Sequence, residues 1–297
     1  MSTAFRLGLA GLLALGLTAC SPADDTVPDT SLTVAAAFYP LEYIAARIGG
    51  EDVTVVGLTP PGGEPHDLEL SPAGVREVRD SDIVLYLSGF QPMVDDAVEA
   101  TEANGFDVAD LVSLVNTTGD EGGGHVGVDP HFWLDPTLLD IYAGAVADRF
   151  SLLDPDNAEA YQANYLALSD DLIDIDSLYI DGLSQCERDI ILVSHEAFGY
   201  PAKRYGLTQV GLSGINPDAE PSPARLREVR ELAESVGATT VYVETLVDPS
   251  VVEAFAQDAG LVVDTLDPIG GLVDESDDYL VIMERNLDAL KTGLGCA

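Results

Sequence analysis

The feature that most constrains the fold is an alternation of short apolar runs with helical segments, which occurs in both halves of the chain. In the first half, strand-like runs at 32–37, 53–58, 83–87 and 108–115 alternate with helical segments at 40–48, 72–79 and 92–103. In the second half, strand-like runs at 190–193, 209–212, 239–243 and 261–265 alternate with helical segments at 223–236, 249–259 and 278–290. This alternation predicts parallel sheets flanked by helices.

Two long helical segments occupy the middle of the chain. Asp135 and Pro136 are typical of an N-cap and first helical position, and they predict a helix to about residue 153. A second begins near Asp154 and extends to about residue 180. We therefore expect an α/β protein with two β/α domains, at 32–153 and 183–297, joined by a long linking helix at 154–182. The alternative for 154–182 is an ordinary helix of one domain.

Composition excludes several classes of partner. The 297 residues include 52 acidic and only 13 basic side chains, giving a formal net charge of −39. Nucleic acids and anionic lipid surfaces are bound through Lys and Arg, so neither is expected as a partner. Hydrophobic residues make up 46% of the chain, which is enough for a packed core. Adaptation to high salt is one hypothesis for so acidic a surface.

The N-terminus has the pattern of an export signal. An apolar run at 7–17, too short to span a bilayer, ends in Leu-Thr-Ala before Cys20. This pattern resembles the bacterial lipobox, in which the Cys is lipidated and becomes the first mature residue. We expect a signal peptide at 1–19, a flexible tether at 20–31, and a location in the periplasm or on the outer face of the cell membrane, with the lipid as the only membrane contact. An ordinary signal peptide with an incidental Cys is the alternative.

Two further cysteines, Cys186 and Cys296, remain in the predicted exported part of the chain. Cysteines in exported proteins usually pair, so a disulfide between them is expected. Two unpaired, buried thiols are the alternative, because sequence separation alone does not decide the geometry.

The chain contains four histidines, and three of them lie where predicted strands give way to loops. These are His66, His131 and His195. Ligands of parallel α/β proteins bind at the carboxyl ends of strands. Separations of 65 and 64 residues exclude a local site but allow one formed between domains, and three imidazoles suit zinc. Taken singly, each histidine is more simply a satisfied or exposed residue.

The segments around these histidines read GGEPHD, DPHFWLDP and SHEAFGY. They resemble the ligand motifs of the cluster A-I metal-binding lipoproteins of ABC transporters, the ZnuA-like and TroA-like receptors. The resemblance covers essentially the whole predicted mature chain. It implies two domains joined by a rigid helix and three metal ligands, His66, His131 and His195. It also implies a carboxylate ligand in the C-terminal domain, for which Asp267 is the best match; a water or Glu64 is the alternative.

The same resemblance bears on the metal. Manganese receptors of this family place Glu where His195 stands, so three histidines and one carboxylate point to Zn²⁺ as the transported ligand rather than Mn²⁺. Many zinc members carry a His-rich loop between the first two ligands. Here that region contains a single histidine, His125, which is either an auxiliary metal-binding residue or a solvated loop residue.

The resemblance implies a monomeric receptor, not an enzyme, that delivers zinc to the permease of an ABC transporter. Two other functions remain open. A zinc hydrolase would need an open coordination position and a base such as Glu64 or Glu196. An adhesin-like surface lipoprotein would hold its metal structurally and unfold without it. Four acidic residues near the motifs are candidates for accepting a second ring N–H of a ligand histidine. They are Asp67, Glu69, Asp129 and Glu196.

Overall fold

The computed structural model describes residues 31–116, 128–274 and 276–297. The predicted signal peptide, the predicted tether up to residue 30 with its Cys20, and His125 lie outside these residues. Within the described ranges, no helix combines the length and the apolar character needed to cross a bilayer.

Four parallel strands form the first sheet, in the order β2-β1-β3-β4. They are β1 (Leu32–Ala36), β2 (Val53–Gly57), β3 (Ile83–Tyr86) and β4 (Gly105–Asp107). The helices between and after them are α1 (Tyr39–Gly49), α2 (Pro72–Asp80), α3 (Pro92–Thr101) and α4 (Pro136–Leu153). The central strands β1 and β3 are almost wholly apolar and buried, as expected for a parallel sheet covered on both faces. We call this sheet and α1–α4 the N-terminal lobe.

A second sheet repeats the same order, β6-β5-β7-β8, and is also parallel. Its strands are β5 (Ile190–Val193), β6 (Thr208–Gly211), β7 (Thr240–Val243) and β8 (Val262–Thr265). Its helices are α6 (Gly199–Tyr205), α7 (Pro223–Val236), α8 (Ser250–Ala259) and α9 (Tyr279–Leu294). We call this sheet and α6–α9 the C-terminal lobe. The α/β class predicted from the sequence is confirmed in both lobes.

Helix α5 (Ala158–Gly182) lies between the lobes in the chain and packs against both of them. It contacts α1 and α4 of the N-terminal lobe and α9 of the C-terminal lobe. The hydroxyl of Tyr179 donates to the carbonyl of Met283 in α9 at 2.8 Å. A 25-residue helix held along its length by both lobes limits how far they can separate. The proposed domain boundaries at 153 and 182 stay a prediction.

Two apolar cores hold the described residues together. The larger runs through the N-terminal lobe, α5 and α9, and it includes strand residues of the second sheet such as Ile191 and Tyr242. The smaller lies between the second sheet and helices α7 and α8, around Leu192, Val229 and Phe255. The larger core is therefore continuous from one lobe to the other.

Helix α4 begins as the sequence predicts. Asp135 caps it by accepting a hydrogen bond from the backbone N–H of Thr137 at 2.9 Å, and Pro136 occupies the first turn. Asp135 also accepts from the hydroxyl of Thr137. This cap fixes the start of α4 five residues after His131, and so helps to place that side chain.

One local prediction is wrong and one helix was missed. The fourth strand was expected at 108–115, but β4 is Gly105–Asp107, and Val108–Asp110 forms a 3-10 turn capped by Asp107. Val108 and Val112 are both buried, and their spacing of four residues suits a helical turn as well as an apolar strand. Helix α6 was not predicted, because its seven residues are too few to show a clear helical repeat.

The predicted disulfide between Cys186 and Cys296 is confirmed. Cys186 follows the end of α5, and Cys296 follows the end of α9. The bridge closes a separation of 110 residues, so it encloses the whole C-terminal lobe.

Candidate metal centre

His66 lies in the loop that follows β2, within a 3-10 turn at Pro65–Asp67. Glu64 caps this turn, since its carboxylate accepts from the backbone N–H of His66 at 3.2 Å. The ring of Phe90 meets the imidazole edge-on, with centroids 4.8 Å apart. The cap and the aromatic contact together hold the His66 ring in a buried position.

His131 precedes the 3-10 turn that leads into α4, and its side chain is 1% exposed. The Oδ1 atom of Asp129 accepts from the backbone N–H of His131 at 3.0 Å and from its Nδ1 at 2.9 Å. If Nδ1 carries the proton, as this contact requires, Nε2 carries the lone pair. Asp129 therefore orients the His131 ring, whose Nε2 faces the Nε2 atoms of His66 and His195.

His195 follows β5 in the C-terminal lobe and is 2% exposed. Its Nδ1 donates to Oε1 of Glu244 at 2.6 Å, and its backbone N–H donates to the same atom at 3.2 Å. Glu244 comes directly after β7, the strand beside β5. The Nε2 atom of His195 is therefore also left with its lone pair.

The three imidazoles meet at the junction of the lobes. The Nε2 of His131 is 3.2 Å from that of His66 and 3.3 Å from that of His195. A tetrahedral zinc with Zn–N distances of about 2.05 Å places its ligand nitrogens about 3.3 Å apart. Lone pairs that face each other at this separation repel unless a proton or a cation lies between them. The arrangement is therefore suited to a metal ion.

No other group of three His, Cys, Asp or Glu side chains among the described residues brings its ligand atoms within 4.8 Å of one another. This cluster contains the three histidines, but neither Asp267 nor Glu64. Asp267 is buried in the loop after β8, where its Oδ1 accepts from the backbone N–H of Ile269 at 2.7 Å. Asn286 exchanges two hydrogen bonds with its backbone. The role of Asp267 as fourth ligand stays a prediction.

Buried carboxylates dominate the electrostatics of the site. Burial raises the pKa of Asp129 and that of Glu64, each to about 7. Burial alone would lower the pKa of His195, but the carboxylates of Glu244, Glu64 and Asp129 together raise it by more, and the net shift is upward. Burial alone would raise the pKa of Glu244, but His195 and Ser194 hold it below its ordinary value. Protons and cations are therefore both attracted to these imidazoles.

An open cavity of about 400 Å³ includes Glu64 and Ser194 in its lining. Glu64 lies two residues before His66 in the chain, and Ser194 directly precedes His195. Four further acidic residues line the cavity: Asp67, Asp218, Glu220 and Asp248. An acidic lining raises the local concentration of cations, so this cavity favours cations beside Glu64 and Ser194.

The carboxylates predicted to support the ligands are only partly those that do. Asp129 does so, whereas Glu196 lies 3.9 Å from Arg225 and has no hydrogen bond to a ligand ring among the described residues. Glu244 was missed. It is the first residue after the apolar run at 239–243, and a known strand order would have revealed it, because the ends of neighbouring parallel strands meet at one edge of a sheet.

The family of the chain follows from comparison with known proteins. Residues 34–293 match the family model described as ZnuA, the zinc-uptake complex component A, periplasmic. The chain belongs to this family. The matched span includes His66, His131, His195 and Asp267, and the match confirms the resemblance inferred from the motifs.

Relatives of this ZnuA-family chain agree with the match. It is 31% identical over 280 residues to the high-affinity zinc uptake system protein ZnuA of Bacillus subtilis, covering 89% of this chain and 88% of the relative. It is 32% identical over 299 residues to the zinc-binding lipoprotein AdcA of Streptococcus pneumoniae, covering 95% of this chain but 59% of AdcA. The chain thus spans about three fifths of the length of the AdcA proteins it matches.

Solved structures show the same fold. The crystal structure of the Zn(II)-bound ZnuA-like domain of Streptococcus pneumoniae AdcA aligns with a TM-score of 0.76 and 29% sequence identity, covering 89% of this chain and 99% of that domain. The crystal structure of the metal-dependent lipoprotein YcdH of Bacillus subtilis aligns with a TM-score of 0.77 and 31% identity, covering 89% and 100%. The ZnuA-family fold therefore extends over most of the chain.

Proposed function

We propose that this chain is an extracytoplasmic receptor that binds one Zn²⁺ and delivers it to the permease of an ABC importer. The observation that carries the proposal is the meeting of three buried imidazole nitrogens, two from the N-terminal lobe and one from the C-terminal lobe. A metal held there ties the lobes together, and a permease can distinguish a loaded receptor from an empty one by that change.

Zinc is favoured over manganese by the donor set. Three neutral imidazoles suit Zn²⁺, whereas Mn²⁺ prefers carboxylate and water oxygens. The ZnuA and AdcA relatives are named for zinc, which agrees with this choice. Asp267 is our candidate for the fourth ligand, because it is buried and follows the last strand of the C-terminal lobe.

The place of work we propose is outside the cytoplasm, as the name of the family and the lipoprotein relatives suggest. Cys20 is the proposed site of lipid attachment, and the lipid the only contact with the membrane. Replacing Cys20 by Ser is expected to release the protein from the membrane fraction. A variant that still sediments with membranes would contradict the lipid anchor.

A binding role is favoured over catalysis. Closed coordination by three imidazoles and a carboxylate leaves no position for a reactive water, whereas a hydrolase keeps one open. The family description, a component of an uptake complex, supports the same choice. We propose a monomer, because two lobes of one chain complete the histidine cluster.

The deciding experiment measures metal content and affinity on the purified full chain. We expect one Zn²⁺ per chain by mass spectrometry, much weaker Mn²⁺ binding in chelator competition, and an apo form that stays folded by circular dichroism. Tight Mn²⁺ binding would move the proposal to a manganese receptor. Unfolding on metal removal would indicate a structural metal instead, and turnover of model esters or peptides a hydrolase.

The fourth histidine supplies a matched control. His131→Ala is expected to abolish tight zinc binding, because it removes the nitrogen that lies between the other two. His125→Ala makes the same chemical change at a histidine that we predict to be a solvated loop residue, and it is expected to leave zinc affinity unchanged. Equal loss in both variants would assign His125 an auxiliary role in metal binding.

A further inference from the structure

We propose that Glu244 is the positioning residue of the metal centre: its carboxylate holds the His195 ring so that Nε2 faces the metal. This inference rests on the proposed function, since it gives His195 its role as a ligand. Glu244 lies one strand away from His195 and 49 residues further along the chain. It belongs to none of the motifs around the histidines.

The sheet places these two residues side by side. In the register between β5 and β7, Leu192 is opposite Val241 and Val193 is opposite Tyr242. Continued by two residues, this register sets His195 opposite Glu244. The backbone of two adjacent buried strands therefore fixes the contact, rather than a chance meeting of loops.

The hydrogen bonds converge on one oxygen. Oε1 of Glu244 accepts from Nδ1 of His195 at 2.6 Å, from the backbone N–H of His195 at 3.2 Å, and from the hydroxyl of Ser194. Two of these donors belong to the residue being positioned. The carboxylate thus restrains both the backbone and the ring of His195, and it leaves little freedom for the ring to turn.

The negative charge of Glu244 is more than the fold requires. The side chain is only 2% exposed, and its Oε2 has no hydrogen-bond partner among the described residues. A neutral amide oxygen would avoid the free-energy cost of burying a charge, but it would hold the Nδ1–H more weakly, because hydrogen bonds to an ionised acceptor are roughly twice as strong. A buried carboxylate behind an imidazole makes that imidazole a stronger metal donor, and this accounts for the charge.

Asp129 shows the same arrangement in the other lobe. It accepts from Nδ1 of His131 as Glu244 does from Nδ1 of His195, so each lobe sets one carboxylate behind one imidazole. Each of the two carboxylates places a negative charge behind a neutral imidazole, and this favours a cation at the cluster.

The experiment compares Glu244→Gln with Glu196→Gln in the full chain. Both variants remove one carboxylate close to His195, but only Glu244 bonds to the ring. We expect Glu244→Gln to weaken zinc binding by about 10 to 100-fold in chelator competition. Glu196→Gln is expected to bind zinc as the unaltered chain does. Glu244→Asp keeps the charge and is expected to recover part of the lost affinity.

Two spectroscopic readouts separate positioning from a merely structural role. The d–d absorption of bound Co²⁺ is expected to change in Glu244→Gln, because the His195 ring is no longer held in one orientation. Long-range ¹H–¹⁵N NMR of the apo protein reads which ring nitrogen carries the proton, and we expect the single Nδ1–H form of His195 to be lost. Unfolding curves in urea establish that each variant is folded.

Some outcomes would overturn the inference. Zinc affinity and NMR spectra of Glu244→Gln that match those of the unaltered chain would do so. Weaker zinc binding with unchanged cobalt and NMR spectra would also do so, since it would indicate only a structural role. If Glu244→Gln does not fold, a folded Glu244→Asp, which keeps the charge, takes its place. A loss of zinc affinity of about 10 to 100-fold in Glu244→Asp would then contradict a role for the charge. If His195→Ala loses zinc binding but Glu244→Gln does not, the inference about Glu244 fails and the receptor proposal stands.

Discussion

The two lobes share a strand order but contribute unequally to the metal centre. The N-terminal lobe supplies two imidazoles, and the carboxylate behind His131 comes from two residues earlier in the chain. The C-terminal lobe supplies one imidazole, whose carboxylate comes from a neighbouring strand. Helices α7 and α8 of this lobe also pack on the smaller of the two cores. The same topology can thus orient an imidazole through a carboxylate in the same loop or through one that follows a neighbouring strand. The second arrangement depends more on the intact lobe.

The largest effect is expected from the disulfide between Cys186 and Cys296. These two cysteines flank the C-terminal lobe in the chain. Replacing Cys186 and Cys296 by Ser is expected to lower the free energy of unfolding by about 2–5 kcal/mol, because the unfolded chain gains freedom. Urea unfolding with circular dichroism measures this. Zinc affinity should be nearly unchanged, since neither cysteine contacts the histidines. A large loss of affinity with little loss of stability would contradict the view that the bridge stabilises the lobe.

The next effect tests the unequal share of ligands. His66→Ala and His195→Ala are each expected to weaken zinc binding by more than about 100-fold, the upper end for a supporting residue. Zinc should still raise the melting temperature of His66→Ala at high metal concentration, since ligands from both lobes remain. The rise in melting temperature should be smaller in His195→Ala. It should be absent in the double variant in which His195 and Asp267 are both replaced by Ala. Equal rises in all three variants would mean that zinc does not bridge the lobes.

A smaller effect is expected at the ion pair that joins the lobes near α5. Arg204 of α6 donates two hydrogen bonds of 2.6 Å to Asp176 of α5 and lies 3.5 Å from Asp135 of the N-terminal lobe. Arg204→Gln leaves a mostly buried carboxylate without its charged partner, so we expect a loss of about 1–3 kcal/mol in urea unfolding. Arg79→Gln breaks an exposed pair with Asp80 and is the control, expected to change little.

The smallest effect concerns pH. Glu244 raises the pKa of His195, so protons compete with zinc at that ring to a higher pH than at an ordinary imidazole. As the pH is lowered, zinc affinity should fall by about tenfold per pH unit for each proton that zinc displaces. We expect this fall to begin above pH 6.5, the ordinary pKa of an imidazole. The raised pKa also stabilises the apo chain below about pH 6.5, and this contribution is lost as pH rises through the folded value. Calorimetry in two buffers of different ionisation enthalpy measures the proton release.

Much of the architecture could be predicted because it depends on local patterns. The α4 start follows from Asp135 and Pro136, and most strands lie within two residues of their apolar runs. The fourth strand could not be placed, since the buried pair Val108 and Val112 fits a strand or a turn equally well. Helix α6 was missed because its seven residues are too few to show a clear helical repeat.

The site divides in the same way. The three histidines could be predicted because each lies in its own motif, and Asp129 because it adjoins His131. Glu244 could not, because its contact with His195 depends on which strands are neighbours, a property that no single segment contains. Whether Asp267 completes the coordination depends on distances of a few ångströms, which sequence order does not determine.

Trp133 is the only tryptophan of the chain, and it lies at the junction of the lobes. Its ring centroid is 5.2 Å from that of His131, and its indole N–H donates to the carbonyl of Pro268 at 2.7 Å. The backbone carbonyl of Trp133 accepts from the hydroxyl of Tyr279 in α9. The molecule therefore carries one indole fluorophore, which can be excited selectively over the tyrosines and which contacts both His131 and the opposite lobe. Stopped-flow emission from this ring can follow metal capture and release in real time, without any attached dye.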